Sequence, residues 1–187
     1  YSVMRAVRAM ESSDVVVVVL DAKEGLTHQD MVILSMAKEM SKGIVLLINK
    51  WALFADTDEN RDLFLERLRR KLGWIWWVPV VFGSAKEKKN ITELLTMVEK
   101  VGENYQSWFK AEILDDLTKQ MRENNPRLKV LELKSIVQTR TNPPEFAVDL
   151  GRIKTVRGED ERLIQNCLRQ ALELYGVLIQ IKFGKDK

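Results

Sequence analysis

An α/β fold with a parallel, doubly wound sheet, followed by a small α+β unit, is the architecture this sequence predicts, on three observations. Apolar runs rich in β-branched residues recur at 15–20, 44–48 and 78–82, the pattern of strands covered on both faces. Stretches with helical apolar spacing separate these runs, so strands and helices alternate as a parallel sheet requires. From about Gln106 that alternation gives way to a helix, two strands, a second helix and a closing strand. The predicted domains are therefore 1–106 and 107–187.

Val3, Met4, Ala6, Val7 and Met10 recur at helical spacing, and residues 12–14 interrupt the pattern before the first strand. Thr27, with Asp30 three residues on, has the form of a capping box. From it Met31, Ile33, Leu34, Met36 and Ala37 continue as a helix to a stop near Gly43. After the second strand, Asp58 or Thr57 can cap a helix through Leu63, Phe64, Leu65 and Leu68 to Leu72. Asn90 is expected to cap the next, which carries Ile91, Leu94, Leu95, Val98 and Val101. In such a sheet ligands sit at the carboxyl ends of the strands, where Asp21, Asn49 and Ser84 fall.

In the second part, 108–121 reads as a helix and Asn124, Asn125 and Pro126 as its stop. Residues 128–139, with Leu128, Val130, Leu131, Leu133, Ile136 and Val137 apolar, are expected to be strand. Asn142-Pro143-Pro144 makes a rigid turn into a short strand at 146–150. Residues 161–175 place Leu163, Ile164, Cys167, Leu168, Ala171 and Leu172 on one helical face, and 177–183 closes as a strand.

Composition narrows the class. With 187 residues, 45% hydrophobic and 30% charged, the chain has an ordinary globular make-up rather than a disordered one. The single cysteine, Cys167, excludes an internal disulfide framework and fits a reducing compartment. His28, the only histidine, reads as an exposed residue of a first helical turn, and no metal site is expected. The longest apolar run, 15–20, is far too short to span a bilayer, and nothing near Tyr1 resembles a signal peptide, so no membrane partner is expected. Because a helical pattern is already under way at Tyr1, the chain is expected to be part of a longer one. The net charge of +3 is uneven: residues 1–106 hold 15 basic and 15 acidic side chains, and 107–187 hold 15 and 12. That bias suits a nucleic-acid face without requiring one.

The chemistry-bearing motifs stand at two strand ends. Asn49-Lys50 follows the apolar run 44–48, and Ser84-Ala85-Lys86 follows 78–82. The pair resembles the guanine-reading half of a GTPase, in which Asn-Lys-x-Asp frames the base and Ser-Ala-Lys covers it. The Asp carboxylate of that motif accepts two hydrogen bonds from the guanine edge, and here its position is Ala52. A hydrogen bond to a charged acceptor contributes about 1.5–3 kcal/mol, so losing a pair weakens guanine binding by roughly two orders of magnitude or more. No G-x-x-x-x-G-K-S/T occurs, and the only Gly-Lys pair is Gly184-Lys185. Phosphoryl transfer needs positioned phosphate donors and a metal ion, so no catalytic residue is assigned to this chain.

An ordered set of further motifs makes the resemblance specific. It includes Leu20-Asp21-Ala22-Lys23-Glu24-Gly25-Leu26-Thr27, Trp51 after Asn49-Lys50, and Gln138-Thr139-Arg140-Thr141-Asn142-Pro143-Pro144-Glu145-Phe146, with Ile179-Gln180-Ile181-Lys182-Phe183 near the end. Nearly the whole chain is similar to the Der (EngA) family of ribosome-assembly GTPases with two tandem G domains, from inside the second G domain onward. The resemblance implies a partial P-loop-GTPase-like domain and a KH-like domain that contacts large-subunit ribosomal RNA without the usual Gly-x-x-Gly clamp. No Gly-x-x-Gly occurs here either.

The function this resemblance implies is that of a factor binding the precursor of the large ribosomal subunit, its rRNA and ribosomal proteins. Asn49, Lys50, Ser84, Ala85 and Lys86 form a base site for GTP or GDP that binds weakly, and Mg is expected only with upstream segments. Arg140, Arg152, Lys154, Arg157, Lys182, Lys185 and Lys187 flank the turns and edge strand of the second domain and are the candidate RNA contacts. Trp74, Trp76 and Trp77 suit either base stacking or packing of the domain edge, and their place before a strand favours packing. The cluster Arg67, Arg69, Arg70, Lys71 and the cluster Lys86, Lys88, Lys89 read as solvated helix ends, with phosphate contact the alternative. Two rival functions stay open: an active GTPase completed by upstream segments, and a pseudo-GTPase that only docks proteins. A bacterial cytoplasm and the matrix of a mitochondrion or plastid fit equally.

Overall fold

The computed structural model describes residues 2–151 and 156–184 and divides into two compact units. The first comprises Tyr1–Glu103 with Tyr175–Val177, and the second Asn104–Leu174 with Leu178–Lys187.

The first unit is a parallel α/β sheet. Helix α1 (Ser2–Glu11) leads into β1 (Val15–Asp21), α2 (His28–Glu39), β2 (Gly43–Asn49), α3 (Asp58–Lys71), β3 (Val80–Phe82) and α4 (Ile91–Gln106). The strand order β1-β2-β3 is sequential and every pairing is parallel, with Asp21 level with Asn49 and Ile48 level with Phe82. Right-handed crossovers stepping in one direction lay α2 and α3 on the same face of the sheet. The central strand is the core: Ile44, Val45, Leu46 and Ile48 have no exposed surface. Thr27 caps α2 in a capping box with Asp30, and Thr57, not Asp58, caps α3. Tyr175–Val177 completes this unit: the Ile44 N–H donates to the Gly176 carbonyl (2.7 Å) and the Gly176 N–H to the Trp77 carbonyl (2.9 Å).

Three expectations for this unit need correction. Val17 and Val19 are 36% and 52% exposed, so β1, which pairs only with β2 among the described residues, is covered on one face rather than two. The third strand starts at Val80, not Val78, because Val78 ends a single 3-10 turn and Pro79 has no N–H to donate. Asn90 does not cap α4 with its side chain: at φ 60 it turns back and its amide donates to the Phe82 carbonyl (2.8 Å). Of the three tryptophans, Trp77 is buried, Trp76 is 39% exposed, and Trp74 packs on Trp77 with the Lys38 ammonium 4.9 Å from its ring.

The second unit holds α5 (Ala111–Asn124), α6 (Pro126–Val130), β4 (Leu133–Arg140), β5 (Glu145–Leu150), α7 (Gly158–Ala171) and β6 (Gln180–Phe183). Its sheet has the order β4-β5-β6, antiparallel between the first pair and parallel between the second. Leu114, Leu117 and Met121 of α5, Ile136 of β4, Phe146 and Val148 of β5, and Ile164 and Leu168 of α7 are buried. The expected strand 128–139 is split: its first part is α6, started by the Asn125 side chain accepting the Arg127 N–H (3.0 Å) with Pro126 in the first turn. The first helix starts later than expected, because the buried Gln138 side chain pins 107–109 outside it. It accepts the Phe109 N–H (2.9 Å) and donates to the Ser107 carbonyl (2.8 Å). Beyond the turn at Tyr175–Val177 the last strand is only Gln180–Phe183.

No helix among the described residues is long and apolar enough to cross a membrane.

Candidate functional site

The sheet delivers the predicted base-site residues to adjacent strand ends. Asn49 is the last residue of β2, and its side-chain Oδ1 accepts the Ala85 N–H (3.0 Å), tying the two motif loops together. The Gly83 N–H donates to the Ile48 carbonyl and the Trp51 N–H to the Gly83 carbonyl, both at 3.0 Å, so the loops cross at Gly83. A Cβ at Gly83 would lie 2.9 Å from the Lys89 carbonyl oxygen, so the close approach needs glycine. Ser84 is buried and exchanges backbone hydrogen bonds with Lys89, and its hydroxyl accepts the Glu87 N–H (3.3 Å). Ala85 and Lys86 are exposed on the loop that results.

Lys50 follows with a left-handed backbone (φ 63), which swings its side chain to Asp21 at the end of β1. The ammonium lies 2.5 Å from the Asp21 carboxylate, whose other oxygen accepts the Lys23 N–H (2.8 Å). Asp21 therefore both closes its own turn and fixes Lys50. The hydrogen bond from Lys50 holds the Asp21 carboxyl below its ordinary value, and Asp21 raises Lys50 in return.

Ala52 lies exposed in the 3-10 turn Trp51–Leu53 and presents a methyl where the guanine motif has a carboxylate. The nearest carboxylate downstream, Asp56, is committed elsewhere. It accepts the Trp51 indole N–H (2.8 Å), Arg61 (2.9 Å) and the Lys89 ammonium (2.9 Å). Those donors, Lys89 foremost, lower its carboxyl to about 2. Asp58 stands in the first turn of α3. Sequence reasoning missed the roles of Arg61 and Lys89; no local pattern marks Lys89, which reaches Asp56 across 33 residues, whereas Arg61 stands five residues after Asp56 and that short spacing was the available signal.

In the second unit the structure brings two of the candidate RNA contacts together. Arg140 on β4 and Lys182 on β6 flank the buried Glu145 of β5, at 3.6 Å and 3.0 Å, with the Thr139 hydroxyl donating to the same carboxylate (2.7 Å). Thr139 first, then Lys182, holds the Glu145 carboxyl below its ordinary value. Both cationic side chains are well exposed, 59% and 69%. Arg157 precedes α7, where its N–H donates to the Asp160 carboxylate (3.4 Å). Arg152, Lys154, Lys185 and Lys187 lie outside the described residues. Among the described residues no three His, Cys, Asp or Glu side chains gather to hold a metal ion.

The family model described as Elongation factor Tu GTP binding domain matches residues 3–104. GTPase Der of Finegoldia magna is 35% identical over 98% of this chain and 43% of its own length. GTPase Der of Listeria welshimeri is 30% identical over 100% of this chain and 44% of its own. The chain thus spans less than half the length of these relatives. A crystal structure of Era in complex with MgGDPNP and part of 16S ribosomal RNA is similar at 21% identity and a TM-score of 0.47, over 98% of this chain and 70% of that one. The chain belongs to the Elongation factor Tu GTP binding domain family, and within it to the Der (EngA) family of GTPases.

Proposed function

We propose that this chain is the portion of a ribosome-assembly factor that holds a degenerate guanine site in its first unit and a KH-like, rRNA-binding surface in its second. The partner is the precursor of the large ribosomal subunit. One observation carries the degenerate-site reading: Ala52 offers no acceptor and the neighbouring Asp56 carboxylate already receives three donors. Guanine nucleotide binds weakly, and hydrolysis depends on segments beyond those in this chain. The intact tie between Asn49 and Ala85 favours a second reading, in which the completed protein still closes this site on GTP.

The RNA reading is supported by the Der resemblance and by Arg140 and Lys182, which share one buried counter-charge and keep their outer donors in solvent. Its test titrates the full chain against a large-subunit rRNA fragment at several salt concentrations. Each phosphate contact contributes about 0.7–0.9 to the log-log slope, so Arg140→Ala with Lys182→Ala should flatten it by up to about two units. Slopes equal to the parent's would refute the placement, and absent binding would favour a protein-docking role.

A further inference from the structure

The first unit contains a cavity of about 550 Å³ that includes none of the five base-site residues. Its volume lies within the range of small-ligand pockets, about 300–1,000 Å³. Phe54, Leu63, Phe64 and Leu68 supply apolar wall, and Trp51 lies beneath Phe54. Trp51 and Phe54 are stacked, 5.4 Å between centroids and 23° between planes, with Trp51 3% and Phe54 41% exposed. A rigid aromatic platform with one accessible ring is therefore already assembled.

The opposite character forms the rim. Arg67, Arg70 and Lys71 stand on one side of α3 at spacings that place them together, and Glu24 is the only acidic side chain among the described residues lining the cavity. Lys71 is held in place by donating to the Leu26 carbonyl (2.8 Å), and among the described residues Arg70 pairs only with the exposed Glu66, at 3.4 Å. Arg67 has no hydrogen bond or ion pair among the described residues. Asn60, also lining the cavity, donates its amide to the Ala55 carbonyl (2.7 Å), leaving its Oδ1 as an acceptor. An apolar planar floor, one directed acceptor and a row of cations complement a planar ring bearing a nearby anion.

We propose that this cavity binds one nucleotide of single-stranded RNA, the base stacking on Phe54 and the adjoining phosphates meeting Arg67, Arg70 and Lys71. The site goes beyond the second-unit surface and does not depend on it. Base-aromatic stacking contributes enough for a loss of tenfold or more on removing the ring.

The experiment uses the full chain and a fluorescein-labelled RNA decanucleotide of mixed sequence, read by anisotropy at several salt concentrations. Phe54→Ala and Phe54→Leu should each weaken binding by about tenfold while Phe54→Tyr retains it. Arg67→Ala with Arg70→Ala should flatten the salt slope by about 1.4, the value for two phosphates of a single strand. Far-UV melting curves like the parent's would show that each variant folds. Parent-like affinity for Phe54→Ala, or a parent-like slope for the arginine pair, would overturn the proposal. So would uridine monophosphate competing as strongly as the decanucleotide, which would make the ligand a free nucleotide. The Arg140→Ala, Lys182→Ala variant separates the two surfaces: a loss confined to it overturns the cavity site, whereas a loss confined to Phe54 and Arg67 supports the cavity.

Discussion

Replacing Trp51 by alanine tests how far the loops after β2 and β3 depend on one side chain. Trp51 is buried to 3%, lies 4.4 Å from the Phe82 ring and 5.7 Å from Phe64, and carries Phe54 on its other side. Truncating a buried aromatic to alanine costs about 3–5 kcal/mol. The lost indole hydrogen bond to Asp56 adds little beyond that, because Arg61 and Lys89 still satisfy the carboxylate and no charge is stranded. A loss of about 4 kcal/mol, at a urea slope of about 1.5 kcal/mol per M, lowers the midpoint by about 2.7 M. Trp51→Phe keeps a ring against Phe82 and should cost about 1–2 kcal/mol. Far-UV circular dichroism of the full chain in urea reads both, and the transition of the second unit serves as internal reference. A cost below about 1 kcal/mol for alanine, or equal costs for the two variants, would refute this account of the loops.

Other expectations rest on the same geometry. Ala52→Asp should raise the preference for GDP over ADP, read as shifts of the Ala85 amide resonance during nucleotide titration; an unchanged ratio would contradict the role given to Ala52. The chain should release no phosphate from GTP above a buffer control, and turnover that Asn49→Ala abolishes would sink that expectation. In the second unit Arg127 makes a two-point contact with the buried Asp160, at 2.7 and 2.9 Å, and holds its carboxyl below the ordinary 3.8. A depressed carboxyl stabilises the fold above its ordinary value and loses that contribution as pH falls through the folded value. The second unit should therefore weaken below about pH 4, and Asp160→Asn should weaken it at neutral pH and flatten that acid limb in thermal melts.

Much of the first unit was legible because its signals are local. The apolar runs mark all three strands, and Thr27 with Asp30 marks a capping box that the structure contains. Where legibility failed, the deciding contact lay elsewhere in the chain. Nothing in the five consecutive valines states that Val17 and Val19 face solvent, since that depends on what packs over the sheet face they share. Leu128, Val130 and Leu131 suit strand or helix equally, and the Asn125-Pro126 helix start was the signal to weigh against strand. The two strand-end motifs at Asn49-Lys50 and Ser84-Ala85-Lys86 were readable, and the structure brings them together through the Asn49 side chain and the Ala85 N–H. The long-range partners, Asp21 for Lys50 and Lys89 for Asp56, were not readable, being separated by intervening helices and loops.

The return of Tyr175–Val177 to the first unit bears on how the chain is made and cut. Synthesis proceeds from the amino end, so β2 emerges long before Gly176, whose backbone gives Ile44 its acceptor and takes the Trp77 carbonyl. The first unit acquires that edge only after all of 104–174 has been translated. A single scission near residue 106 would separate β2 from this segment, leaving the Ile44 N–H to find water. Dissection that respects both units needs three breaks, after residues 103, 174 and 177, or a rearranged order of the chain that joins 175–177 to 1–103.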